Sequence, residues 1–179
     1  MTTETITITE AHHNEELISR TEKGKAVINR NVLWALGAGV LPMPLVDMVA
    51  VLGVELKMLK QLSDVYGAKF TDDVAKKVIG SLLSSVGSVG LGIAVAGSLF
   101  KIVPVIGSTL GVVSVPVFAA TFTSALGKIF QMHLETGGTL LDFDPKAVRT
   151  HFKKEFDKAK VEVSQMQKDL EHSKIIVKS

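Results

Sequence analysis

The chain has 179 residues, of which 46% are hydrophobic and 21% charged, and its net charge is +2. That length suits one domain with an appendage, and no basic block large enough for a nucleic-acid footprint occurs. There is no cysteine, which excludes disulfides, thiolate metal sites and a cysteine nucleophile. The averages hide a partition. Charged side chains crowd into residues 1–31 and 128–179, whereas Lys101 is the single charge between Val78 and Gly127.

The opening MTTETITITE is polar and acidic, not a positive stretch followed by an apolar core. No cleaved signal peptide is read, and the N-terminus is expected in the cytoplasm. Thr5 to Thr9 alternates as a short strand would. Helical spacing begins near Ala11 and runs through Leu17, Ile18, Val27, Ile28 and Val32, interrupted by Gly24. Between Asn31 and Val54 the single charge is Asp47. Pro42 and Pro44 break this stretch, predicting a helix–turn–helix hairpin around 41–44. Asp47 then falls in the first turn of the second helix, where the dipole favours a carboxylate; an ion or proton site is the alternative. Each half of the hairpin is too short to span a bilayer. The second helix carries Leu52, Leu56, Leu59 and Leu62 on one face and stops at Tyr66-Gly67.

Thr71 is the next N-cap, with Asp72 and Asp73 in the first turn. Two apolar runs follow, Val78 to Phe100 and Ile102 to Gly127. As a helix the first would reach about 34 Å, enough for a hydrocarbon core of about 30 Å. Pro104 suits a helix start, and Pro116 predicts a kink. Lys76 and Lys77 precede the runs and Lys128 follows them, which suits a hairpin with both termini cytoplasmic. Lys101, with Pro104 close behind, is the expected hairpin tip, its ammonium reaching headgroups or water on the far side. Lys23, Lys25 and Arg30, then Lys57 and Lys60, likewise flank 32–54. Trp34 and Tyr66 lie near its ends, at an interface or in a core. Gly80, Ser84, Ser88 and Gly92 recur every four residues, and Gly107 and Gly111 repeat the spacing. Such stripes let helices approach closely in lipid, within the hairpin, between copies, or both. The competing reading makes these runs central helices of a soluble bundle, buried on every side. In a monomer too few amphipathic helices are available to cover them.

After Lys128 the helix runs to Glu135, and Thr136-Gly137-Gly138 stops it. Asp144-Pro145 supplies an N-cap and a proline at the first helical position. In the final helix, about 145–172, Phe152, Phe156, Ala159, Val163, Met166 and Leu170 step by fours and threes, a short heptad seam. Its other faces are densely charged. No enzyme signature is found. The histidines have no ligand spacing, the serines lack a G-x-S-x-G context, and SVGSVGLG has neither a strand before it nor Gly-Lys-Ser/Thr after it. No catalytic residue, cofactor or metal is expected.

The stretch LPMPLVDMVAVLGVELKMLKQLSDVYG resembles the core motif of the YcjF-like bacterial family of unknown function. GTLLDFDP resembles that family's end motif, and SLLSSVGS between them also fits. The resemblance covers about residues 30–155. It implies membrane association and a link to GTPases, and it carries no catalytic residues. Since the chain has no GTPase motif, such a partner would be a separate protein.

The expectation is an all-α, membrane-inserted protein of the bacterial inner membrane. It comprises a polar arm (1–30), an apolar helical membrane and assembly region (31–140) and a charged C-terminal helix and tail (141–179). Its expected partners are the lipid bilayer and further copies of itself, not nucleic acid. The expected role is a homo-oligomeric scaffold or membrane-shaping protein. The alternatives are a membrane pore, or a soluble self-assembling module working with a GTPase.

Overall fold

The computed structural model describes residues 3–38, 46–99 and 115–178, with side chains described over 14–37, 51–86, 116–170 and 172–173. These residues form helices α1 (Thr3–Ala38), α2 (Val46–Tyr66), α3 (Asp72–Leu99), α4 (Val115–Glu135) and α5 (Pro145–Lys178). The chain is all-α over the described residues.

The helix ends follow local chemistry. α2 closes at Gly67, whose φ of 68° suits glycine. There the Ala68 amide donates to the Ser63 carbonyl (2.8 Å) and the Gly67 amide to Asp64 (3.3 Å). α4 closes the same way, with Gly137 at φ 83° and the Gly138 amide on the His133 carbonyl (3.0 Å). Both are Schellman caps, which satisfy carbonyls left over at a helix end. At the start of α5 the Asp144 carboxylate accepts from the Lys146 amide (2.8 Å), one residue past Pro145. The expected stops and starts at Tyr66-Gly67, Gly137-Gly138 and Asp144-Pro145 all occur.

α4 is the central helix. Ala119 to Gly127 is buried at every position, so the helix has no solvent face over this length. α1 runs antiparallel to it: Thr21 meets Glu135, Gly24 meets Gln131 and Ile28 meets Gly127. These contacts need glycine. A Cβ on Gly127 would lie 2.7 Å from Ile28 Cγ1 and 3.0 Å from Met58 Sδ, and one on Gly24 would lie 2.9 Å from the Gln131 side chain. α2 packs beside α1, and Asn31 Nδ2 joins them by donating to Gln61 Oε1 (2.9 Å). α5 covers another flank through edge-to-face ring pairs, Phe122 with Phe152 (5.5 Å) and Phe118 with Phe156 (5.6 Å). α3 packs on α2, α4 and α5, burying Ala75, Val78, Ile79, Leu82 and Val86.

Three expectations change. Thr5 to Thr9 belongs to α1 and is not a strand. Extending an existing helix adds a bond per residue without a new nucleation cost, whereas a lone strand leaves its backbone unpaired. Pro116 does not kink a helix. It lies in the first turn of α4, where its missing N–H removes no intrahelical bond. Finally, residues 117–127 of the second apolar run, with the exception of the half-buried Phe118, are buried within the chain's own bundle. They are apolar because neighbouring helices surround them. The α5 seam packs through Phe152, Phe156, Ala159 and Val163, and Met166 is partly buried. Leu170 is 40% exposed. With Phe118 opposite Phe156, the rest of α5 overhangs the first residue of α4.

Gly127→Ala is expected to lower stability in urea unfolding by about 1–2 kcal/mol, the overpacking penalty exceeding alanine's better helix propensity. Gly80→Ala should do the reverse and gain about 0.5–1 kcal/mol, because Gly80 is exposed on α3 with nothing within 4 Å of its Cβ position.

Candidate functional site

Glu55 is the most unusual side chain in the core. It is fully buried between α2 and α4. Thr123 Oγ1 lies 2.6 Å from its Oε1 and 2.9 Å from the Ala119 carbonyl, while Oε2 has no partner. A threonine hydroxyl has one proton and cannot donate to both oxygens. It donates to Glu55 Oε1 when the carboxyl is charged, and it can turn to the Ala119 carbonyl only when a protonated Glu55 supplies the proton for the bond between them. Burial pushes the Glu55 pKa up, the Thr123 bond opposes it, and the result is about 8 against an ordinary 4.5. The group is therefore protonated at neutral pH.

Asp47 is the acid that stands out in the sequence, and Glu55 does not. Leu52, Leu56, Leu59 and Leu62 all pack on the core as expected, and Glu55 lies among them, three residues after Leu52 and four before Leu59. That spacing was the available signal. The Asp47 side chain lies outside the described residues.

A second polar group closes the opposite end of the bundle. Glu135 Oε1 accepts from Thr21 Oγ1 (2.8 Å), Tyr66 Oη (2.9 Å) and Gln131 Nε2 (2.9 Å), joining α1, α2 and α4. Partial burial would raise the Glu135 pKa, but these three bonds outweigh it and hold the pKa below its usual value. Burial and the adjacent Glu135 push the Tyr66 hydroxyl up. Of the two aromatics flanking the apolar hairpin, Tyr66 is thus part of the internal clamp.

Trp34 is the other aromatic, and it is 59% exposed beside Leu33 at 49%. Lys57 Nζ lies 5.4 Å from its ring centre, a cation–π distance across the α1–α2 seam. Arg30 lies one turn before Trp34, and Lys60 one turn after Lys57; both are exposed. Among the described residues, none of these three cations forms an ion pair.

The other expected positions are scattered. Pro42, Pro44, Lys101, Pro104, Gly107 and Gly111 lie outside the described residues. Ser88 and Gly92 lie on α3, with side chains outside them. Gly80 and Ser84 share an exposed face of α3, where Ser84 Oγ donates back to the Gly80 carbonyl (2.8 Å). Lys128 pairs with Glu162 of α5 (2.9 Å). No group of three His, Asp or Glu able to hold a metal occurs among the described residues.

The GTLLDFDP stretch is explained by folding. A Cβ on Gly138 would collide with the His133 ring, Thr139 donates from its amide to Asp142 (2.6 Å), Leu140 is buried and Phe143 packs edge-to-face on Phe130, and Asp144-Pro145 starts α5.

The family described as "Domain of unknown function (DUF697)" matches residues 5–160. The chain belongs to this family. A relative, "Magnetosome membrane protein 22" of Magnetospirillum gryphiswaldense, is 38% identical over 152 residues, covering 85% of this chain and 78% of its own. No solved structure matches. The resemblance drawn from the two motifs thus holds over most of the chain.

A carboxyl with a raised folded pKa binds its proton more tightly in the folded state. Glu55 is therefore expected to make the protein most stable below about pH 4.5 and less stable as pH rises to about 8. Glu55→Gln, a neutral isostere, should flatten this decline and raise stability at pH 7 by about 3 kcal/mol, read from urea midpoints across that range. Glu135 acts in the opposite sense: its contribution is present above its ordinary pKa of 4.5 and is lost as pH falls through the lower folded value.

Proposed function

We propose that this protein is a non-enzymatic, membrane-associated assembly protein of the bacterial inner membrane. Its helical bundle sits on the cytoplasmic face, and the stretch 87–114 enters the lipid. The observation that carries this reading is the distribution of apolar sequence around the bundle. Val78, Ile79, Leu82 and Val86 on α3, and 117–127 apart from the half-buried Phe118, lie against the core, so these side chains are not free to contact lipid. What remains is 87–114, still with Lys101 as its single charge. The name of the magnetosome relative, a membrane protein, supports a membrane location.

The insertion proposed here is shallower than a spanning hairpin. Among the described residues no helix is long and apolar enough to cross a membrane. The apolar stretch from Ile102 to Ser114 would reach only about 20 Å as a helix, short of the roughly 30 Å hydrocarbon core. Lipid admits no unpaired backbone that would let it extend further. A monotopic insertion, with both termini on one side and Lys101 in the same leaflet, fits these lengths. Self-association is part of the proposal, supported by the open Gly80–Ser84 face of α3.

Carbonate extraction of bacterial membranes tests insertion. The protein is expected to stay in the pellet until detergent is added, and release by carbonate alone would overturn the proposal. Size measurement in detergent should then give a mass above one 19.2 kDa chain.

A further inference from the structure

We propose that the exposed α1–α2 seam around Trp34 and Lys57 is a second membrane contact, one that recognises anionic phospholipid headgroups. This rests on the membrane reading above and names the lipid chemistry that the bundle itself meets.

The helix order fixes where this face lies. Along the bundle, Thr21, Tyr66 and Glu135 form one layer, and Ile28, Met58 and Gly127 form the next. Glu55 and Thr123 come further on. Continuing in that direction brings together the C-terminus of α1, the N-terminus of α2 and the N-terminus of α4. Two uncharged stretches of sequence, 39–45 and the end of 102–114, join the described helices there. Trp34 and Leu33 lie on the outside of α1 at this end, a large aromatic and an aliphatic that are each about half exposed, with Lys57 over the indole.

The surrounding charge is mostly basic. The sequence has no acid between Glu22 and Asp47. On α2, Glu55 points into the core, and the exposed Asp64 lies one turn beyond Lys60, on the side away from Trp34. Among the described residues, Arg30, Lys57 and Lys60 project from the α1–α2 seam without an ion pair. A tryptophan belongs at the headgroup level, where its ring is apolar and its N–H is wet. Basic side chains beside it find counter-charge in an anionic leaflet. Lys57, already over the indole, would hold the ring while meeting a phosphate. A protein partner would have to bring its own acidic surface; a bacterial phospholipid leaflet presents one continuously.

Trp34 is the chain's single tryptophan, so its emission reports on this face directly. The experiment uses the full chain with vesicles of phosphatidylcholine alone or mixed with phosphatidylglycerol. Flotation measures binding, and Trp34 emission measures contact. The expected result is a blue shift with anionic vesicles and binding on the order of 100-fold tighter than for the triple variant Arg30→Gln, Lys57→Gln, Lys60→Gln, at about fivefold per cation. The control Lys153→Gln, Lys154→Gln, on the exposed face of α5, should bind as the wild type does. If the protein floats with both vesicle types and Trp34 emission does not move, this face is not the contact and the proposal falls, while membrane association stands. A blue shift on raising protein concentration without vesicles would make the seam an interface between copies and equally overturn it. No flotation with any vesicle would overturn the membrane reading and this inference together.

Discussion

The close approach of α1 to α4 is the constraint on which the rest of the bundle depends. At Gly127 the α4 backbone comes within side-chain reach of Ile28 and Met58 together, so three helices meet at one point with no Cβ between them. One turn away the exchange reverses, and Gly24 of α1 admits Gln131 of α4. A small residue faces a larger one on each side, which sets depth and register together. With α4 drawn in this far, α2 and α5 can close over its remaining faces, and a helix of almost unbroken apolarity becomes an interior.

The polar groups then mark successive levels of that interior. Gln131 and Glu135 tie three helices where water can still reach. Asn31 and Gln61 join α1 to α2 on the flank. Glu55 and Thr123 meet deep in the core, where Glu55 Oε2 finds no partner, so burial favours the neutral carboxyl. Polar contacts of this kind allow few alternative alignments, because a one-residue slip would leave several donors stranded.

Much of the helix layout was legible in the sequence, because caps and seams are local. Asp144-Pro145, Tyr66-Gly67 and the Phe152–Val163 line are written in consecutive turns of one segment. What was illegible depends on distant partners. Nothing in the neighbourhood of Gly24 or Gly127 says that they face each other's helix. Glu55 reads as a solvated acid until Thr123, 68 residues later, is placed against it. The second apolar run was misjudged over 117–127 because hydrophobicity reports an apolar medium without saying whether lipid or protein supplies it. Trp34 and Tyr66 look equivalent in the sequence, yet one closes an internal hydrogen-bond group and the other stands in the open. Among the described residues Gly80 stands open, and the close helix–helix approaches are at Gly24 and Gly127.

The buried carboxyl also makes the proton a reactant in folding. Near neutral pH the unfolded chain holds Glu55 ionised and the native bundle holds it neutral, so each molecule that folds withdraws close to one proton from its surroundings at this position. The heat of folding then includes whatever the buffer absorbs in giving that proton up. Two buffers of the same pH but different ionisation enthalpy would yield different calorimetric values for one and the same structure.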